Sequence, residues 1–266
     1  MSGVPVRKSV REIQTPVGMA RAYLWRPSRP CGSLVLGHGA GGSSWSADLQ
    51  TLTALTAQGW LVVLVEQPWR VAGRAVATPP AQLDVAWLAV MEALTSGRGA
   101  LPRPLVVGGR SSGARVACRT ASAVGADAVL LLAFPLHPPG KPEKSRAAEA
   151  QMVTGAGTRL TVIQGEKDAF GSPDDVRSAL GGEAEVVSAR GTHSFTKEPT
   201  DVLEIARAFL SDLLVPRGAS PRPTCRSDAA NALVSRWVEH SVQHHVDVGA
   251  QGRGQRLGVT APEADT

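Results

Sequence analysis

The chain has 266 residues, 43% hydrophobic and 19% charged, which supplies the core of one large globular domain with some length to spare. Its formal charge of +5 comes from arginines scattered along the sequence, without the basic blocks or interleaved aromatics of a nucleic-acid binder. Three distant cysteines, Cys31, Cys118 and Cys225, argue against a disulfide frame or a zinc site and for a reducing compartment.

Taken in order, the chain alternates strand-like and helix-like pieces. Arg11 to Thr15 and Ala20 to Trp25, joined by Pro16-Val17-Gly18, read as a hairpin. Ser33 to Gly37 is a short apolar strand that runs into His38-Gly39-Ala40-Gly41-Gly42. Ala47 to Gln58 carries Leu49, Leu52 and Leu55 at helical spacing, and Gly59 stands where a helix stops. Leu61 to Val65 is the next strand, and a loop rich in Pro, Gly and Arg leads to a helix over Leu83 to Leu94. Pro104 to Gly108 is a strand, followed by a helix to about Val124 and a strand over Ala128 to Ala133. Pro135 to Gly157 is a polar insertion with a short helix near Arg146 to Val153. The rhythm resumes with a strand at Leu160 to Gln164, a helix at Asp174 to Leu180, with Asp174 and Asp175 as its capping acids, a strand at Glu185 to Ser188 and a helix at Asp201 to Leu214. Such alternation implies an α/β fold: a mostly parallel sheet covered on both faces, with antiparallel strands at its N-terminal edge. Ligands in such sheets gather at the carboxyl ends of the strands.

The composition changes after residue 215, which divides the chain into a domain over 1–215 and an extension over 216–266. Ser220 to Pro223 reads as a linker and the stretch from Gly249 as disordered. Residues 228–248 place Val234, Val238, Val242 and Val246 on one stripe of a helix, either a weakly docked appendage or a segment for self-association or partner docking. His240 and His244 are spaced for a metal, but no further ligand completes a set, so no metal and no cofactor is expected. Met1 to Pro16 has no secretory apolar stretch, and the longest apolar run, Ala128 to Phe134, is too short to cross a bilayer. A cytoplasmic protein with no membrane partner is the expectation.

The chemistry concentrates at Gly109-x-Ser111-x-Gly113, where a strand turns into a helix. Such a turn forces the middle residue into a strained conformation and projects its side chain alone above the sheet edge. The positions two before and two after it must be small, which Gly109 and Gly113 satisfy for Ser111. Taking Ser112 as the centre would put Arg110 in one of those places, and it is too large. A serine hydroxyl needs a base, and the base needs a carboxylate to fix its tautomer. In enzymes with this elbow the order is Ser, acid, His, and Asp168 and His193 follow Ser111 in loops after successive strands. Developing charge on a substrate oxygen needs two fixed donors: the N–H of Ser112 and an N–H of the glycine turn, assigned to Ala40. His38, Gly39, Arg110 and His137 are the candidate pocket residues; Arg110 and His137, with Lys141 and Lys144, would favour an anionic substrate, though surface solubility accounts equally well for the lysines. A rival reading starts from Gly37-x-Gly39-x-x-Gly42, a dinucleotide fingerprint, with Glu66 as the ribose acid. Against it, Ser43 to Ser46 separates the glycines from the helix and Ser111, Asp168 and His193 are left without a role.

On these residues, together with Phe134 to Pro142, Gln164 to Asp168 and Gly191-Thr192-His193, the stretch from Leu34 to Leu214 resembles the α/β-hydrolase superfamily. More narrowly it looks like the small dienelactone-hydrolase-like group that includes testis-expressed and chromatin-complex-associated hydrolase-like proteins. The resemblance implies an α/β-hydrolase fold with a minimal lid and a serine hydrolase acting on a small-molecule acyl substrate. Its implied nucleophile, acid and base are Ser111, Asp168 and His193. Some members of the group serve as non-catalytic components of complexes, which is the alternative the resemblance itself carries.

Overall fold

A computed structural model describes residues 5–42, 44–195, 197 and 199–215. The extension over 216–266, with its segment 228–248 and His240 and His244, lies outside the described residues. One eight-stranded sheet organises the chain, in the order β1-β2-β4-β3-β5-β6-β7-β8. The strands are β1 (Val6–Thr15), β2 (Gly18–Pro27), β3 (Gly32–Gly37), β4 (Trp60–Glu66), β5 (Leu105–Arg110), β6 (Ala128–Leu132), β7 (Arg159–Gly165) and β8 (Ala184–Ala189). β1 and β2 form an antiparallel hairpin on β4, and the remaining six strands run parallel. The hairpin is longer than the sequence suggested. Its outer strand β1 begins at Val6 and, through Lys8 and Arg11, carries the charges that discourage edge-to-edge pairing.

The period-two alternation sends neighbouring residues to opposite faces. Val35, Val63, Val107, Val129 and Leu131 pack under α3 (Pro80–Thr95), α4 (Ser112–Thr120), α5 (Ala147–Gly155) and α6 (Pro173–Leu180). Leu34, Leu36, Val62, Val106, Leu130 and Leu132 pack under α1 (Ala47–Thr51), the turns after it and α7 (Pro199–Leu214). Each fully buried side chain of this kind contributes about 1.5–3 kcal/mol. Every parallel crossover thus has its helix, giving the doubly covered sheet.

Four local differences have physical causes. The single helix expected over Ala47 to Gln58 is α-helical only to Thr51 and continues as a 3-10 helix over Leu52–Gln58. Leu49, Leu52 and Leu55 recur every three residues, which is the 3-10 period, and the Thr53 and Thr56 hydroxyls donate to carbonyls three residues back. A short helix, α2 (Pro68–Val71), opens with proline in its first turn and lies in the expected loop. The helix after Ser111 closes at Thr120 rather than Val124. In α6 the cap is Ser172, whose hydroxyl accepts from the Asp175 N–H while the Asp175 side chain reaches back to the Ser172 N–H. Asp174 pairs with Arg177 instead.

The sheet order places the site. The chain steps from β3 to β4 on one side, then returns to β5 on the other side of β3, so the loops leaving β3 and β5 diverge. The glycine turn follows β3 and Ser111 follows β5. Only α5 and its flanking loops connect β6 to β7, a lidless arrangement above the sheet edge. Among the described residues no helix is long and apolar enough to cross a membrane, and no group of three His, Cys, Asp or Glu residues is placed to hold a metal. Cys31 and Cys118 are unpaired thiols.

Candidate active site

Ser111 has φ 52° and ψ −108°, a left-handed conformation that costs a non-glycine residue about 1–3 kcal/mol. Its neighbours enforce the bend. A Cβ on Gly109 would stand 2.6 Å from the Gly37 oxygen, and one on Gly113 would stand 2.4 Å from the same atom. The turn is therefore closed against the end of β3 by backbone alone. The Ser111 N–H donates to the Leu132 carbonyl at 3.0 Å, which ties the bend to β6.

The Ser111 hydroxyl lies 2.8 Å from His193 Nε2. His193 Nδ1 lies 2.9 and 3.0 Å from the two Asp168 oxygens. With Nδ1 donating to the carboxylate, the Nε2 lone pair faces the hydroxyl proton. Asp168 is buried, and its Oδ1 accepts from the Phe170 N–H at 2.8 Å while Oδ2 accepts from Gln164 Nε2 at 3.0 Å. Two loops have to meet for this line to form, and Gly165 lets them. A Cβ there would stand 2.1 Å from the Thr192 oxygen. Backbone bonds from Glu166 to Ala189 and from Lys167 to Gly191 then seal the acid loop to the histidine loop. Phe170 stacks on the imidazole at 4.0 Å between centroids and 29° between planes, covering one face of the ring.

The glycine turn is held from below. His38 is buried, its Nδ1 donates to the Gly39 carbonyl at 2.7 Å and its Nε2 accepts from the Gln67 N–H at 3.0 Å. Burial pushes this imidazole below its ordinary pKa, which keeps it neutral. Gly39 runs beside the nucleophile, where an added Cβ would lie 3.7 Å from Ser111 Cβ. The following residue, Ala40, is exposed, and its carbonyl accepts from Arg70. Ser112 is the first residue of α4, where backbone N–H groups have no intrahelical acceptor. The Ala40 and Ser112 amides thus belong to the two segments that flank Ser111.

The other candidate pocket residues have different placements. Arg110 has a side chain only 13% exposed and an ion pair to Asp48. His137 turns Nδ1 to the Pro138 carbonyl, while its main-chain N–H donates to Phe170 O in the acid loop. Glu66, the acid of the dinucleotide reading, accepts from the hydroxyls of Tyr23 and Ser44. The first helix after the glycines begins only at Ala47, so the fingerprint's helix is missing from its place and the rival reading fails on geometry. Three neighbours of the site were not singled out from sequence. Phe170 carried the one available signal, an aromatic two residues after the acid in a chain only 4% aromatic. Gln164 stands at the end of an expected strand and Asp48 within the helix expected over Ala47 to Gln58, and nothing in the sequence ties either side chain to the site.

Residues 30–207, well over half of the chain, match the model of an alpha/beta hydrolase domain family, and the chain belongs to that family. No curated protein matches it in sequence. Among solved structures it is similar to XC6422 from Xanthomonas campestris, described as an α/β serine hydrolase without a lid. The two share 19% identity and a TM-score of 0.60 over 83% of this chain and 100% of that one. Est1E from Butyrivibrio proteoclasticus has 16% identity and a TM-score of 0.61 over 76% and 98%. An alpha-beta serine hydrolase homologue from Coxiella burnetii has 17% identity and a TM-score of 0.61 over 78% and 97%.

Proposed function

We propose that the protein is a serine hydrolase that cleaves small carboxylic esters through an acyl-enzyme, with Ser111 as nucleophile, His193 as base and Asp168 as the acid that orients it. The observation that carries this reading is the unbroken line of hydrogen bonds from the buried carboxylate through the imidazole to the strained serine. Ser111 Oγ attacks the acyl carbon as His193 Nε2 takes its proton. The charge that develops on the acyl oxygen is received by the N–H groups of Ser112 and Ala40. The imidazolium returns its proton to the departing alcohol. Water, deprotonated by the same nitrogen, then releases the acid and frees Ser111. Asp168 holds the imidazole in place and stabilises the imidazolium. The β6–β7 connection, too short for a large cap, favours a small substrate in an open site, and the dienelactone-hydrolase-like group is the subgroup we assign on the sequence resemblance. The domain so defined spans 1–215, with 216–266 as an extension.

A panel of short acyl esters, thioesters and lactones, assayed with wild type and Ser111→Ala, tests the reading. Turnover of at least one ester by wild type and its loss in Ser111→Ala is expected. Turnover that survives in Ser111→Ala, or a wild type inert to the whole panel, overturns it.

A further inference from the structure

The residue before the nucleophile reaches three separate segments of the site with one side chain. Arg110 Nε lies 3.2 Å from Asp48 Oδ2 in α1, and that carboxylate is only 2% exposed. Arg110 Nη2 donates to the main-chain carbonyl of His193 at 2.6 Å. Nη1 fills the space beside Gly39, where a Cβ would approach it to 3.0 Å. Burying an ion pair is costly, and a buried pair is often no more stable than hydrocarbon of the same shape. A buried pair at this point is therefore better explained by position than by stability. The backbone bonds that seal the histidine loop act at Ala189 and Gly191. Arg110 takes hold of the backbone of residue 193 itself. Arginine suits the task because its planar guanidinium donates to the carbonyl in a fixed geometry while its charge lies against the carboxylate, whereas a lysine ammonium is a single flexible point.

We propose that Arg110, braced by Asp48, is a positioning residue that fixes the backbone of His193 so that its imidazole meets Ser111, and is not a receptor for substrate anions. The effect on turnover rests on the hydrolase reading above; the effect on the loop does not. Asp48 neutralises and orients the guanidinium, and the carbonyl bond sets the height of the histidine loop over the sheet edge. A misplacement of the imidazole by about 1 Å costs about a hundredfold in rate.

The test uses the full chain with Arg110→Met, Arg110→Lys, Arg110→Ala and Asp48→Asn, assayed on 4-nitrophenyl acetate and on an acidic ester, mono-4-nitrophenyl succinate. Arg110→Met is expected to lower kcat about a hundredfold on both esters. KM should move less than about threefold, as for an interaction that matters to the transition state and not to ground-state binding. Arg110→Lys should recover little, Asp48→Asn should fall in the same direction, and guanidinium chloride should restore part of the activity of Arg110→Ala. Hydrogen exchange at residues 190–195 should rise about tenfold in Arg110→Met and in Arg110→Lys, with the sheet unchanged. Wild-type kcat in the Met and Lys variants, or a loss confined to KM for the acidic ester, overturns the proposal. An unaltered exchange rate overturns it too. If wild type hydrolyses neither these two esters nor any member of the panel above, the hydrolase reading is what fails, and the exchange measurement still decides whether Arg110 holds the loop.

Discussion

A single methyl group added at position 113 probes how the nucleophile turn is built. A Cβ there would stand 2.4 Å from the Gly37 oxygen, 2.5 Å from the Gly37 carbon and 2.9 Å from the His38 oxygen. All three are backbone atoms at the end of β3, so no side chain can swing aside. Ordinary contact begins near 3.4 Å, and α4 must therefore retreat from β3 by about 1 Å. Overpacking of this kind costs about 1–3 kcal/mol. For a domain of this size that lowers Tm by about 2–4 °C per kcal/mol. The same shift moves the Ser112 amide relative to Ala40, and a misplacement of that size costs about a hundredfold in kcat. Gly155→Ala is the control: nothing lies within 4 Å of its Cβ and it ends α5 without a positive φ. That variant should keep wild-type turnover and gain about 0.4–1 kcal/mol. Thermal melts and ester hydrolysis on both variants give the answer. Gly113→Ala with wild-type Tm and kcat would refute the closure of α4 on β3.

Three further outcomes follow from particular contacts. Asp168→Asn should leave the fold intact but lower kcat about 10⁴-fold, because an amide stabilises the wrong imidazole tautomer; steady-state kinetics beside a circular dichroism spectrum checks it. Arg119→Met removes the bidentate partner of the buried Asp84, a carboxyl that burial already raises, and should cost about 3–5 kcal/mol in urea unfolding. His38 is held neutral in the fold with its pKa below the ordinary 6.5, so the unfolded chain binds the extra proton first as pH falls. Its contribution is therefore intact above 6.5 and is lost below it, at up to about 1.4 kcal/mol per pH unit. Melts between about pH 7.5 and 5.5 should fall less steeply for His38→Gln than for wild type.

The parallel sheet was legible because its strands are buried on both faces and read as apolar runs between polar turns, as at Leu61 to Val65 and Ala128 to Leu132. The small residues around Ser111 were legible for a related reason: a close approach of backbone to backbone leaves glycine as its trace, and Gly109, Gly113 and Gly165 all stand at such approaches. Side-chain partnerships across distant segments leave no comparable trace. Arg110 read as a charge facing substrate because nothing near it in the sequence announces Asp48 as its partner, and the pair exists only once β5 and α1 have packed. His38 lines a small cavity with Gly39 and Ser112, but the work of its ring nitrogens, which both serve the backbone around it, left no trace in the sequence. The tight turns after α1 were misread as α-helix because a three-residue spacing of leucines satisfies both periods over so short a stretch.

The nucleophile itself can be read out directly by mass. Full-length protein treated with a fluorophosphonate should gain one adduct, and peptide mapping should place it on Ser111. The adduct should vanish in Ser111→Ala and form far more slowly in His193→Ala. No adduct on wild type, or an equal adduct in Ser111→Ala, contradicts an activated serine at that bend.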